Sequence, residues 1–370
     1  MNRFDRQIKL QDFGIEGQNK LRQSSALIVG VGGLGCPALL YMAAAGIGKI
    51  GIADGDVVSI SNLNRQVIYG EKDEDRKKVD VAAEVIRQKY SDIQLVIFPE
   101  FIHTGNALEI ISQFDIVVDC SDNFSARYMI NDACVLLQKP LVYGAIFEYE
   151  GQVSLFNVKN EKGISCNYRD LFPIPPESNQ IPDCNETGVL GVLPGIIGTL
   201  QATETIKYLS NTGSGLSGKI LYYNIKQSHF FKLNVMSNPQ ASKYIPDSEA
   251  AFRDYDYSSS CTTIKYINWH EAQKIYSSHS NQTVFIDVRE KDELPKMKSI
   301  SFVQLPLSRL YEDKQYITNM KNLLVYCKSG IRSEKAASIL KKIFPDKNIY
   351  SITGGILDKL SPLNNPCNEI

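Results

Sequence analysis

The sequence predicts an α/β protein: a mainly parallel sheet covered by helices on both faces, followed by a smaller α/β unit. Three observations predict it. Short continuous apolar runs alternate with helix-periodic segments from Ser25 to Ala145, the pattern of strands buried on both faces. A glycine-rich turn, Gly30-Val31-Gly32-Gly33-Leu34-Gly35, joins the first such run to the first helix. A chain of 370 residues is long for one domain, and a second alternating pattern begins after a polar stretch near residue 250.

In order, the first unit reads as strand Ala26–Val31, helix Gly33–Ala45, strand Ile50–Asp54, helix Lys77–Tyr90, strand Leu95–Phe98, strand Phe114–Cys120, helix Asn123–Gln138 and strand Leu141–Ala145. Glycines let a backbone approach phosphates, and an acidic residue about 20 positions on, here Asp54, suits a ribose hydroxyl, so the unit is expected to be Rossmann-like with a mixed or parallel sheet. Residues 166–185 carry Pro173, Pro175, Pro176 and Pro182 and read as a long surface loop containing Cys184. Gly188–Lys207 becomes helix-periodic again. Ser237–Thr262, rich in Ser, Pro, Asp and Tyr, reads as a linker, giving units 1–236 and 263–370. The second unit is expected to contain helix Trp269–Tyr276, strand Thr283–Asp287, strand Asn322–Tyr326, helix Ser333–Phe344 and strand Asn348–Ser351.

Composition narrows the function. Net charge of -1 argues against a broad nucleic-acid footprint, which needs clustered Lys and Arg. The apolar stretch Ala26–Ile47 is broken by five glycines and a proline and does not read as a membrane span. The charged N-terminus does not open a signal peptide, and eight scattered cysteines without C-x-x-C spacing suit reduced thiols, so a cytoplasmic protein is expected.

The phosphate-binding pattern extends beyond the glycine turn. Asp56, then Asn62 and Arg65 within Ser61-Asn-Leu-Asn-Arg-Gln66, then Lys78 and Asp122, suit a site that holds a triphosphate and its metal better than one that passes a hydride. A dehydrogenase would share the glycines and Asp54 but would leave Arg65 and Lys78 without a purpose. Together with Arg6-Gln7-Ile8, Asp119-Cys120-Ser121-Asp122-Asn123, Tyr168-Arg169 and Gly188-Val-Leu-Gly191, these residues resemble, in order, the ThiF/MoeB/HesA family over residues 1–235. That resemblance implies a ubiquitin-activating-enzyme-like adenylyltransferase, which activates the C-terminal Gly-Gly carboxylate of a small ubiquitin-like sulfur-carrier protein of molybdopterin or thiamine biosynthesis. It further implies that Gly30, Gly32, Gly33 and Gly35 cradle ATP, Asp54 binds ribose, Asp56 belongs to the same nucleotide site, Asn62, Arg65 and Lys78 contact phosphates, and Asp122 holds Mg²⁺. Arg6 would reach the partner's ATP in a homodimer. Cys184 would bond the activated carrier, or else is an inert loop cysteine. Two C-x-x-C pairs that bind zinc in many relatives are absent here, so no zinc site is expected.

Cys327-Lys-Ser-Gly-Ile-Arg332-Ser333 stands between an apolar strand and a helix, where backbone N–H groups stabilise an anion. It resembles the rhodanese active loop, supported by Asp287-Val-Arg289 and Gly354-Gly355, and the Cys-to-Arg spacing favours sulfur over phosphate. The Gly-His-Ile that usually follows Asp-Val-Arg is missing, and Leu294–Ser301 is shortened. The resemblance implies a persulfide on Cys327, filled by a donor such as a cysteine desulfurase, with Arg332 in the loop. Two rivals remain: a tRNA-modifying dehydratase of the same superfamily, disfavoured by the acidic pI of about 6.5, and a non-enzymatic scaffold.

Overall fold

A computed structural model describes residues 3–175, 188–257, 264–296, 301–310, 314–344, 347–358 and 361–362. The chain divides into two compact units, Met1–Cys261 and Thr262–Ile370.

The first unit is built on an eight-stranded sheet: β1 (Ser25–Val29), β2 (Lys49–Ala53), β3 (Gln94–Phe98), β4 (Ile116–Asp119), β5 (Leu141–Phe147), β6 (Glu150–Phe156), β7 (Lys219–Asn224) and β8 (His229–Asn234). Their order is β3-β2-β1-β4-β5-β6-β7-β8. The five strands from β3 to β5 run parallel, and β6 to β8 add antiparallel. Two apolar cores cover the two faces, one centred on helices Gly35–Ala45 and Val192–Ser210, the other on helix Phe124–Leu136. β1 and β4 are buried almost throughout, which is why they read as unbroken apolar runs rather than alternating ones.

Register places the site. Val29 pairs with Ala53 on one side and with Asp119 on the other, so Gly30, Asp54 and Cys120 leave the sheet at one level of its carboxyl edge. The glycine turn must be glycine at two points. Gly30 has φ +90°, and a Cβ there would lie 2.8 Å from the Cys120 carbonyl oxygen; at Gly35 a Cβ would stand 2.0 Å from the Gly30 oxygen.

The first unit does not end where the sequence suggested. Within the expected linker 237–262, the described part through residue 257 folds onto this unit, with a 3-10 turn at Ala241–Tyr244 and a helix at Glu249–Asp254. Phe252 is fully buried, and the Tyr257 hydroxyl donates to Asp132 at 2.9 Å. Asp132 is itself held bidentately by one edge of the Arg169 guanidinium, Nε and Nη2 donating to its two oxygens at 2.8 and 2.6 Å. A few aromatic anchors on a pre-existing buried ion pair hold this segment without any apolar periodicity.

The second unit is a five-stranded, all-parallel sheet of β9 (Lys265–Ile267), β10 (Thr283–Asp287), β11 (Phe302–Gln304), β12 (Asn322–Tyr326) and β13 (Asn348–Ile352), in the order β11-β10-β12-β13-β9. Its cores lie on either face, with Trp269 fully buried on one and its indole N–H donating to the Gly355 carbonyl at 2.7 Å. Among the described residues no helix is long and apolar enough to cross a membrane.

Candidate active site

A cleft of about 510 Å³ opens at the carboxyl edge of the first sheet. Gly30, Gly32, Gly33, Asp54, Asp56, Arg65, Lys78 and Asp122 all line it, although they come from five separate stretches of chain. The Asp54 carboxylate accepts from the Val31 amide at 2.7 Å and from the Asp56 amide at 2.9 Å, so it fixes the glycine turn as well as facing the cleft. Burial pushes its pKa up, opposed by those two amides and by the charge of Lys78. Lys78 is 5% exposed, and its ammonium donates to Asp56 at 2.9 Å. Arg65 spends one guanidinium nitrogen on the Ser61 carbonyl and the Asn64 side chain, both at 3.1 Å.

On the opposite wall, the Asp119 carboxylate accepts from the Ser121 amide at 2.9 Å, shaping the turn that presents Asp122. Asp122 is exposed to the cleft. Two buried polar atoms of cleft-lining side chains, Gln66 Oε1 and Ser121 Oγ, have no hydrogen-bond partner among the described residues. Orphaned groups of this kind cost free energy unless a ligand answers them, and both lie where a polar ligand would.

Three expected residues sit differently. Asn62 does not line the cleft; its carbonyl accepts from the Arg65 and Gln66 amides, each at 3.0 Å, so it shapes the turn that presents them. Gly35 lies behind the turn, where its lack of a side chain permits close packing. Arg6, on the short helix Asp5–Ile8, is exposed and stands outside its own chain's cleft. Cys184 lies outside the described residues. Sequence reasoning missed Gln66, Arg127, the loop Phe101–Thr104 and Tyr255–Tyr257, all of which line the cleft. Gln66 and Arg127 stand beside residues already singled out; the other two carry no local signal.

In the second unit, Cys327 follows β12 and is fully buried. Its Sγ accepts from the Gly330 amide at 3.1 Å and lies 3.7 Å from the Ser333 hydroxyl, at the start of helix Ile331–Ile343. Gly330 has φ +99°, which turns the loop back over the sulfur. The Cys327 and Lys328 carbonyls accept from Ile356 and Leu357, at 2.9 and 3.1 Å, so the Gly354-Gly355 turn forms the floor beneath the loop. Below it the buried Asp287 and Arg289 pair bidentately, with a shortest contact of 2.6 Å.

Arg332 forms a two-point ion pair with Glu293, with a 2.7 Å contact between Nη2 and Oε2. The bonds from Arg332 hold the Glu293 carboxyl down at about 2. A depressed carboxyl contributes stability that is complete above its ordinary value of 4.5 and is lost as pH falls through about 2. Acid titration followed by carboxyl NMR is expected to find Glu293 titrating near 2, and Glu293→Gln to remove that component of acid unfolding. A Glu293 carboxyl titrating at its ordinary value would mean that the pair does not form.

A glycine cradle with two fixed cations on one unit, and a cysteine loop over a parallel sheet on the other, define a nucleotide-binding α/β enzyme joined to a sulfur-handling unit. The chain belongs to the ThiF family, which matches residues 4–244, and carries a rhodanese-like domain that matches residues 270–358. It is 38% identical over 359 residues to a probable molybdopterin-synthase adenylyltransferase of Porphyra purpurea, covering 96% of this chain and 91% of the relative. Against the adenylyltransferase and sulfurtransferase MOCS3 of Xenopus laevis identity is 33%, over 96% of this chain and 85% of the relative. The sulfur carrier protein adenylyltransferase of Thermus thermophilus is 43% identical over 241 residues, 65% of this chain and 89% of the relative. The first unit also shares its fold with E. coli MccB, solved with ATP, at a TM-score of 0.54 and 20% identity, over 65% of this chain and 73% of that one.

Proposed function

We propose that the protein uses ATP to adenylate the C-terminal carboxylate of a small ubiquitin-like sulfur-carrier protein, and then replaces the adenylate with sulfur from a persulfide on Cys327. The observation that carries this reading is the meeting of the glycine turn, Asp54, Arg65, Lys78 and Asp122 in one cleft, on a chain that also holds the Cys327 loop. A carboxylate and an α-phosphate repel each other, so their reaction needs positioning and fixed positive charge. Lys78 and Arg65 supply that charge. The carboxylate oxygen bonds to the α-phosphorus, the bond to the β-phosphate breaks, and pyrophosphate leaves with the electron pair.

The terminal sulfur of the persulfide then attacks the acyl carbon and AMP departs, leaving the carrier joined to Cys327 through an acyl disulfide. A second thiol, for which Cys184 is the candidate within this chain, attacks the Cys327 sulfur and releases the thiocarboxylate, leaving a disulfide on Cys327. Asp122 is the residue that would hold Mg²⁺, since a hard cation favours carboxylate oxygen and the ion neutralises phosphate charge when bound. Arg6, exposed and outside its own cleft, fits a homodimer in which it completes the partner's site. A cysteine desulfurase fits as the persulfide donor, and a reducing cytoplasm suits the thiol chemistry. The name of the Porphyra purpurea relative, which matches over nearly the whole chain, favours a molybdopterin-type carrier over a thiamine-type one.

The test is ATP–pyrophosphate exchange with Mg-ATP and each of the two carrier types in parallel. Exchange is expected with one carrier and to be absent without it. Silence with both, from a protein that binds ATP, would overturn the reading.

A further inference from the structure

We infer that Tyr255–Tyr257, at the start of the segment leading to the second unit, forms the wall of the cleft that receives the purine base of the nucleotide; the inference rests on the ATP-binding reading above. Arg65 lies against the glycine turn, 3.5 Å from where a Gly33 Cβ would stand, and Lys78 bonds to Asp56 at 2.9 Å. Phe101, whose ring lies 2.6 Å from where a Gly55 Cβ would stand, Ile102, Met129, Tyr255 and Tyr257 add apolar and aromatic lining to a cleft that also holds Arg127 and Asp256. With phosphates at the glycine turn and ribose at Asp54, these aromatic and apolar side chains are left for the base.

The segment is built in place from both sides of the cleft. Arg253 donates to the Gly105 carbonyl at 3.2 Å, in the loop after β3, while Tyr257 donates to Asp132 on the helix after β4. It therefore bridges the two banks of the sheet edge. The Tyr255 ring packs against Tyr257 with centroids 4.5 Å apart, and the Arg169 guanidinium lies 5.8 Å from its centre. Those neighbours hold the half-buried ring while it lines the cleft. An aromatic ring offers a base a stacking surface at little entropic cost, because packing has already fixed it. Because the same residues begin the tether, base binding and the anchoring of the tether are linked, each strengthening the other.

The full-length protein tests this with two probes, ATP and inorganic tripolyphosphate, which share phosphates but not a base. Tyr255→Ala is expected to raise the Kd for ATP roughly ten- to hundredfold, the range for loss of one base-stacking ring, and to leave tripolyphosphate binding unchanged. Tyr255→Phe should bind ATP as the wild type does. In the unaltered protein, ATP should slow hydrogen exchange of the amides at 253–257 while tripolyphosphate does not, a readout independent of any folding defect. Wild-type affinity for ATP in Tyr255→Ala, equal loss of both probes, or equal protection by both overturns the inference. A wild-type protein that binds neither probe removes the ATP reading itself.

Discussion

Cys327→Ser is expected to abolish thiocarboxylate formation, by roughly 10³-fold or more, the scale for removal of a covalent nucleophile, while carrier-dependent ATP–pyrophosphate exchange continues at the wild-type rate. The two activities separate because they belong to different units, and Cys327 follows a strand of the second unit, none of whose residues lines the cleft. Sulfur chemistry has few other places to go among the described cysteines. Burial pushes the Cys36 thiol up to about 12 and those of Cys120 and Cys134 well above their usual value, so these are packing residues rather than nucleophiles. Cys327 is buried too, but its sulfur receives the Gly330 amide at 3.1 Å and sits at the start of helix Ile331–Ile343, in the loop between strand and helix. Serine keeps the volume and can accept the same amide, yet it carries no persulfide. The measurement is the mass of the carrier's C-terminus after incubation with ATP and a persulfide as the sole sulfur source. Undiminished thiocarboxylate from the serine variant would end the relay as drawn here.

Much of this arrangement was legible in the sequence because it is local. A strand, a glycine turn and a helix announce themselves within twenty residues, and β1, β2 and β4, buried on both faces, read as unbroken apolar runs. Strands β6 to β8 were not legible. The pairing of β6 with β7 joins residues far apart in sequence, as Gln152 with Tyr222, and β8, which pairs with β7 across a short turn, is exposed along its whole length, so neither burial nor alternation marks it. The cleft shows the same division. Asp54 and Asp122 follow from position at the sheet edge and Lys78 from the signature around it, whereas Tyr255 and Tyr257 reach the cleft through Asp132 and Arg169, more than 80 residues earlier, which form a buried pair for the segment to dock on. The Tyr168-Arg169 pair, singled out from sequence as part of a motif, has this structural use in the fold. Arg332 likewise carried no sign of Glu293, because an ion pair across a turn of unknown path leaves no periodicity.

Lys78→Ala is expected to lower carrier-dependent ATP–pyrophosphate exchange by roughly 10²–10³-fold, the cost of removing one preorganised charge that meets developing negative charge. Lys77→Ala should leave it near wild type. The residues are adjacent and carry the same charge, so the contrast isolates position. Lys77 is exposed and its ammonium donates to the Pro99 carbonyl at 3.4 Å, whereas Lys78 is 5% exposed and lines the cleft. A charge screened by water and salt contributes little to a reacting phosphate; one held in a walled cleft acts through a lower effective dielectric. The alanine has a second effect of the same sign. Lys78 is bonded to Asp56 at 2.9 Å and its charge opposes the rise in the Asp54 pKa, so removing it leaves two carboxylates facing a triphosphate with less positive charge between them. Nucleotide affinity should therefore fall together with the rate, and Lys78→Arg should recover only part of either, because a planar fork does not replace a compact ammonium in this pocket. Equal losses in Lys77→Ala and Lys78→Ala, with both proteins folded by circular dichroism, would show that net charge rather than the placed ammonium governs the reaction, and the cleft would lose its claim to be the adenylation site.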